Sequence, residues 1–120
     1  MYELVIKDAI AAAHFLREYK GKCETLHGHT YHVEITINGT HLNSLGMVAD
    51  FTELKKKLHD FLSTLDHVCL NELDFFKINN PTTENLARYI YEQFGKIIAP
   101  LSVGKVRVWE SDTSSVIYYA

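Results

Sequence analysis

Across residues 28–38 apolar and polar side chains alternate one for one, Tyr31, Val33, Ile35 and Ile37 against Thr30, His32, Glu34 and Thr36. A period of two marks a strand with one buried and one open face. Asn38-Gly39 then supplies turn chemistry. From Asp50 the period changes. Phe51, Leu54, Leu58, Phe61, Leu62 and Leu65 recur at three and four, one face of an amphipathic helix with Lys55, Lys56 and Lys57 on its solvated side. Asp50 with Glu53 predicts a capping box. A second helix follows Pro81, with Thr82 as cap and Leu86, Ile90, Phe94 and Ile97 as the buried stripe, and Pro100 ends it.

Strand periodicity then returns. Residues 105–110 put Val106, Val108 and Glu110 on one face, and residues 116–119 form a last strand after a turn at Asp112, Thr113 and Ser114. Ahead of all this, residues 2–7 alternate loosely as a strand. Residues 9–16 read as its continuation or a bulge, although Ala-Ile-Ala-Ala-Ala has helical propensity. The order ββ-αα-ββ predicts an α+β domain, a four-stranded antiparallel sheet with two helices on one face.

Size fits that plan: 120 residues suit a single domain over residues 1–120. The net charge of −3 gives no bulk attraction to nucleic acid or to an anionic membrane, so neither is expected as a partner. No apolar run approaches the ~20 residues of a membrane span, and the N-terminal residues lack a signal-peptide pattern. The expected location is the cytoplasm, where Cys23 and Cys69 would stay reduced.

The unusual count is seven histidines. Residues at i and i+2 of a strand share a face, so His27 and His29 join Tyr31 and Val33 on the core side. Gly28 between them removes bulk from the opposite face. His14 ends the first extended segment, and hairpin pairing can bring it alongside. Three imidazoles with no fourth protein ligand leave one tetrahedral position open, the arrangement of a catalytic zinc. The plain alternative is a pair of polar residues at a strand start. His32 faces the polar side, His41 sits in a loop and His59 on a helix; none is a candidate.

Other groups bear on the choice. Cys23, four residues before His27, can be a fourth ligand closing a structural site, or a thiolate acting as base or nucleophile. Asp66-His67 sets a carboxylate next to an imidazole, and a carboxylate orienting an imidazole is the usual means of fixing a tautomer for acid–base work, though adjacent residues need not touch. Glu110 continues the inward row of Val106 and Val108, where a carboxylate must find a partner. Cys69 reads as core.

Taken together, Ala-Ala-His14, Cys23-x-x-x-His27-Gly-His29, Asp50-Phe51, Leu65-Asp66-His67, Leu70-Asn71, Pro81-Thr82-Thr83-Glu84-Asn85-Leu86 and Glu110 resemble the 6-pyruvoyl-tetrahydropterin synthase family. Within it the chain is most similar to the 6-carboxy-5,6,7,8-tetrahydropterin synthases of queuosine biosynthesis. The resemblance runs from about residue 3 to the C-terminus. It departs at Ala-Ile-Ala-Ala-Ala-His14, where relatives often carry Phe-x-Ala-Ala-His, and in the short loop before Cys23, near Arg17, Lys20 and Lys22.

The resemblance implies a tunnelling fold (T-fold) and a homo-oligomer, with a hexamer favoured and sites at subunit interfaces. It implies Zn2+ held by His14, His27 and His29, Cys23 as proton acceptor, and Asp66 with His67 as the relay. Glu110 would anchor a pterin substrate, with Thr82 and Thr83 helping from a neighbouring subunit. The implied reaction is a lyase step on 7,8-dihydroneopterin triphosphate, with zinc as Lewis acid, giving 6-carboxy-5,6,7,8-tetrahydropterin, acetaldehyde and triphosphate. The alternatives are a 6-pyruvoyl-tetrahydropterin synthase, a dihydroneopterin phosphate epimerase, or a non-catalytic zinc or pterin-binding protein.

Overall fold

The computed structural model describes residues 1–18 and 25–120. Strands β1 (Tyr2–His14) and β2 (His27–Gly39) pair antiparallel along their whole length, from Tyr2 opposite Gly39 to His14 opposite His27. The alanine segment is therefore strand. Ile6, Ile10, Ala12 and His14 occupy alternate positions and are all buried. A helix preference worth a few tenths of a kcal/mol per residue cannot compete with a full ladder and that inward row. On β2 the inward row is Tyr31, Val33, Ile35 and Ile37, each fully buried as the alternation predicts.

The sheet departs from the expected four antiparallel strands. Strands β4 (Ser102–Ser111) and β5 (Ser114–Tyr118) extend it beyond β2, with a bulge where β4 passes Thr36 and Ile37. A fifth strand, β3 (Val68–Cys69), runs parallel to β1 and sets Val68 opposite Ala12 and Cys69 opposite Ala13. The order is β3-β1-β2-β4-β5. Two residues carry no readable period, so β3 leaves no mark in the sequence. It arises from a backbone reversal at His67, whose φ of 57° is left-handed. The His67 N–H donates to the Ala11 carbonyl at 2.6 Å, and the Ala11 N–H donates to Asp66 Oδ1 at 2.8 Å.

Helix α1 (Phe51–Leu62) turns Leu54, Leu58 and Leu62 inward. Its Asp50 oxygen takes the Thr52 N–H at 2.8 Å, a simple N-cap rather than the expected box. After it come a 3-10 turn (Leu70–Glu72) and a five-residue helix α2 (Asp74–Ile78), both too short to show a stripe. Helix α3 (Thr83–Ile98) is capped by the Thr82 hydroxyl, which accepts the Asn85 N–H at 3.1 Å. Its buried row is Leu86, Ala87, Ile90, Phe94 and Ile98. Ile97, expected in that row, is exposed, because the stripe steps four residues from Phe94 rather than three.

Helix α1 lies against β1, and α3 lies across β4 and β5. The core fills the space between, and the expected one-sided layer holds. The opposite sheet face carries Lys7 paired with Glu34 at 3.3 Å, and Arg107 over the Trp109 ring at 4.1 Å. No described helix covers it.

Candidate active site

Three rings meet where the β1–β2 ladder ends. His14 lies opposite His27, and His29 is the next inward residue of β2. Their ring centroids are 4.6, 4.8 and 5.1 Å apart, and one ligating atom from each falls within 4.8 Å of the others. His14 Nδ1 is 2.7 Å from the Pro81 carbonyl, and His27 Nδ1 is 2.6 Å from that of Thr25. A ring nitrogen facing a carbonyl must donate, so both rings carry their proton on Nδ1 and a lone pair on Nε2. Yet the two Nε2 atoms sit 3.0 Å apart. Two lone pairs in contact repel unless a proton or cation stands between them. His29 Nε2 is also buried without a hydrogen-bond partner.

The unpartnered His29 Nε2, next to two Nε2 atoms that face each other, fits a divalent cation, and zinc suits a three-histidine set with one position open. Burial pushes the pKa of His14 and of His29 below the ordinary histidine value. Each also feels His27 as a like charge, while Glu110, and for His14 the Pro81 carbonyl, oppose the shift. The neutral imidazole favoured in this way is the ligating form.

Tyr31, fully buried beneath the trio, sets its Oη 3.2 Å from His14 Nδ1, and burial pushes its phenol pKa up. Glu110 arrives from β4. The Thr83 hydroxyl, in the first turn of α3, donates to Glu110 Oε2, and Glu110 Oε1 lies 3.5 Å from His29 Nε2. That last approach is an electrostatic contact without hydrogen-bond geometry, which leaves His29 Nε2 unsatisfied. Thr83 and Glu110 thus meet within one chain, and the Thr82 hydroxyl is engaged as the helix cap.

Asp66 and His67 do touch: Asp66 Oδ2 is 2.9 Å from His67 Nδ1. The Ala11 N–H, and after it His67, hold the Asp66 carboxyl below its usual range. The imidazole is 80% exposed, beside a cleft of about 530 Å³ lined by Ala11, Ala13, Gly28, His29, Thr30 and Cys69. A Cβ at Gly28 would only graze the Ala12 carbonyl at 3.6 Å, so the glycine keeps the cleft open rather than relieving a clash. Cys69, expected in the core, is half-buried on this cleft because β3 is an edge strand.

Among the described residues no hydrogen bond joins Asp66 or His67 to the trio. Cys23, Lys20 and Lys22 lie outside the described residues. The Arg17 guanidinium donates to the Phe76 carbonyl. His41 rests on Thr40 and His59 on Asp8, away from the site. Sequence reasoning passed over Tyr31 as a site residue, though it shares the row of His27 and His29. It also missed the Pro81 carbonyl, a backbone group with no signature of its own.

A family model described as 6-pyruvoyl tetrahydropterin synthase matches residues 3–120. The 6-carboxy-5,6,7,8-tetrahydropterin synthase of Bacillus subtilis (strain 168) is 37% identical over 118 residues, covering 91% of this chain and 79% of that protein. The 6-pyruvoyl tetrahydrobiopterin synthase of Homo sapiens is 35% identical over 102 residues, covering 82% of this chain and 70% of its own. The solved structure of Caenorhabditis elegans 6-pyruvoyl tetrahydropterin synthase matches with a TM-score of 0.90 at 29% identity, covering 99% of this chain and 95% of that one.

Proposed function

The chain belongs to the 6-pyruvoyl tetrahydropterin synthase family, and on that premise we propose that it is a zinc-dependent lyase of the carboxy-forming branch. The substrates are 7,8-dihydroneopterin triphosphate and one water, and the products are 6-carboxy-5,6,7,8-tetrahydropterin, acetaldehyde and triphosphate, in 7-deazapurine (queuosine) biosynthesis. The observation that carries the reading is the convergence of three imidazoles, one ring nitrogen from each within 4.8 Å of the others and that of His29 unpartnered, beside a carboxylate held by Thr83. Relatives at 37%, 36% and 32% identity bear the carboxy-forming name, the second as a putative assignment.

His14, His27 and His29 hold the metal, which when bound supplies Lewis acidity toward substrate oxygens. Glu110 anchors the pterin. A carboxylate offers about four lone-pair sites, so with one taken by Thr83 it still accepts from a ring N–H and an exocyclic amine. Thr82 starts α3 so that Thr83 meets Glu110. Asp66 keeps the His67 proton on Nδ1 and stabilises the ring once charged, which frees Nε2 to exchange a proton with the substrate. Cys23 accepts the second proton, a role carried by its motif. A thiolate in that role suits a reducing compartment, consistent with the cytoplasm.

The proposal includes a homo-oligomer, a hexamer by resemblance, with sites at subunit interfaces. Supporting it are the exposed His67, which no hydrogen bond among the described residues links to its own trio, and the sheet face that no described helix covers. The runner-up is the pyruvoyl-forming reaction, favoured by relatives of that name at 36% and 35% identity; an epimerase on a dihydroneopterin phosphate follows.

Product identification by mass spectrometry, with zinc-loaded protein and dihydroneopterin triphosphate, separates these. Carboxypterin with acetaldehyde is expected, and a pyruvoyl product or an epimer would move the chain to another branch. Glu110→Gln, which swaps one acceptor for a donor, should lower kcat/KM by about 10- to 100-fold, the worth of a hydrogen bond to a charged group.

A further inference from the structure

Among the described residues, strand β1 runs out of sheet partners just where it delivers a candidate metal ligand. On one side the ladder with β2 ends at His14 opposite His27; on the other, β3 ends at Cys69 opposite Ala13. The backbone groups that follow are taken by two side-chain amides. Asn71 Oδ1 accepts the Phe15 N–H at 3.0 Å, and its Nδ2 donates to the Phe15 carbonyl at 3.0 Å. Asn80 treats Arg17 the same way, at 2.9 and 3.2 Å.

A carboxamide carries one acceptor and a donor in the plane of a peptide, so each asparagine stands in for a neighbouring strand's backbone. The register shows the substitution. Ala13 pairs with Cys69, and two residues further along each chain Phe15 pairs with the Asn71 side chain. The side chain continues the parallel ladder after the backbone has turned into the 3-10 segment.

Asn80 also connects to the site from the other direction. Its own carbonyl accepts from Asn85 Nδ2 at 2.9 Å, and the next residue, Pro81, offers the carbonyl facing His14 Nδ1 at 2.7 Å. One asparagine therefore fixes Pro81 relative to the chain that carries His14. Asn71 is nearly buried, where an unpaired amide would be costly.

We propose that Asn71 and Asn80 are positioning residues that replace a missing strand beyond β1 and hold His14 with Nδ1 on the Pro81 carbonyl and Nε2 toward the metal. The proposal rests on the metal reading above. It differs from a merely stabilising clamp in what it fixes, the tautomer and aim of one ring.

Three variants test it. Asn71→Ala and Asn80→Ala remove the two amides, and Asn79→Ala is the control, since Asn79 Nδ2 donates to the Phe75 carbonyl at 3.0 Å as the C-cap of α2. Zinc affinity is measured on folded protein by competition with a chromophoric chelator, and ring tautomers by 15N spectra of the zinc-free protein. The first two variants should bind zinc about tenfold or more weakly, as loss of outer-sphere support does. In both, His14 should lose its pure Nδ1–H signature, while Asn79→Ala keeps wild-type values.

Unchanged affinity in the two variants, or an equal loss in Asn79→Ala, would overturn the proposal. If wild-type protein takes up no zinc, the metal reading fails by itself. The spectra then decide, and a pure Nδ1–H tautomer surviving in both variants overturns the positioning role. Should the alanine variants not fold, Asn71→Asp and Asn80→Asp keep the acceptor half of each pair and carry the same readings.

Discussion

His14 and His27 owe their ligating tautomers to backbone carbonyls, those of Pro81 and Thr25, rather than to charged partners. Neutral second partners add no charge to the site and leave Glu110, among the described residues, as the carboxylate beside the trio. At Asp66 the balance is different. Its folded-state pKa lies below the ordinary 3.8, chiefly through the Ala11 N–H. The ionised form therefore stabilises the folded state above that ordinary value, and the contribution is lost as pH falls from there through the lower folded value. Urea midpoints should be higher for wild type than for Asp66→Asn near about pH 7, with the gap closing below about pH 4. A gap that stays constant through acidification would show that the carboxylate's charge is not what matters. The side chains in this region were legible where strand alternation ordered them: His27, His29 and Glu110 fall on inward rows. The Asp66–His67 pair was legible as a candidate but its contact was not, since it is made at a residue whose backbone is left-handed.

Long elements announced themselves and short ones did not. β2, α1 and α3 each contain enough periods to reveal a face, whereas β3 and α2 are too brief and exist through contacts with β1 and the core. Cys69 was misread for that reason, because its exposure depends on an edge strand the pattern does not display. Within α3, the cap and the site are joined through adjacent residues, Thr82 taking the Asn85 N–H and Thr83 holding Glu110. Thr82→Ala should cost about 1 kcal/mol in urea unfolding, the usual worth of a cap. It should also weaken pterin binding, because the first turn carries Thr83. A stability loss with pterin affinity untouched would separate the cap from the anchor.

As a whole the chain is elongated, 54 × 26 × 22 Å, with helices on one sheet face and none of the described helices on the other. β5 lies at one edge of the sheet, and among the described residues most of β1 has no partner on the side where β3 covers Ala12 and Ala13. Unpaired edges invite association with further strands, and Ile117 on β5 is exposed. Sedimentation velocity should find a species several times heavier than the 13.8 kDa chain. A monomer throughout would count against interfacial sites. The order of the candidate site along the chain has its own consequence. All three imidazoles belong to the first hairpin, while the carbonyl facing His14 and the carboxylate come from Pro81 and Glu110. On the proposed reading, a chain synthesised from its N-terminus carries all three candidate ligands before the groups that aim them and would bind the pterin have been made. Metal capture and completion of the substrate site would then be separable events in the life of each new molecule.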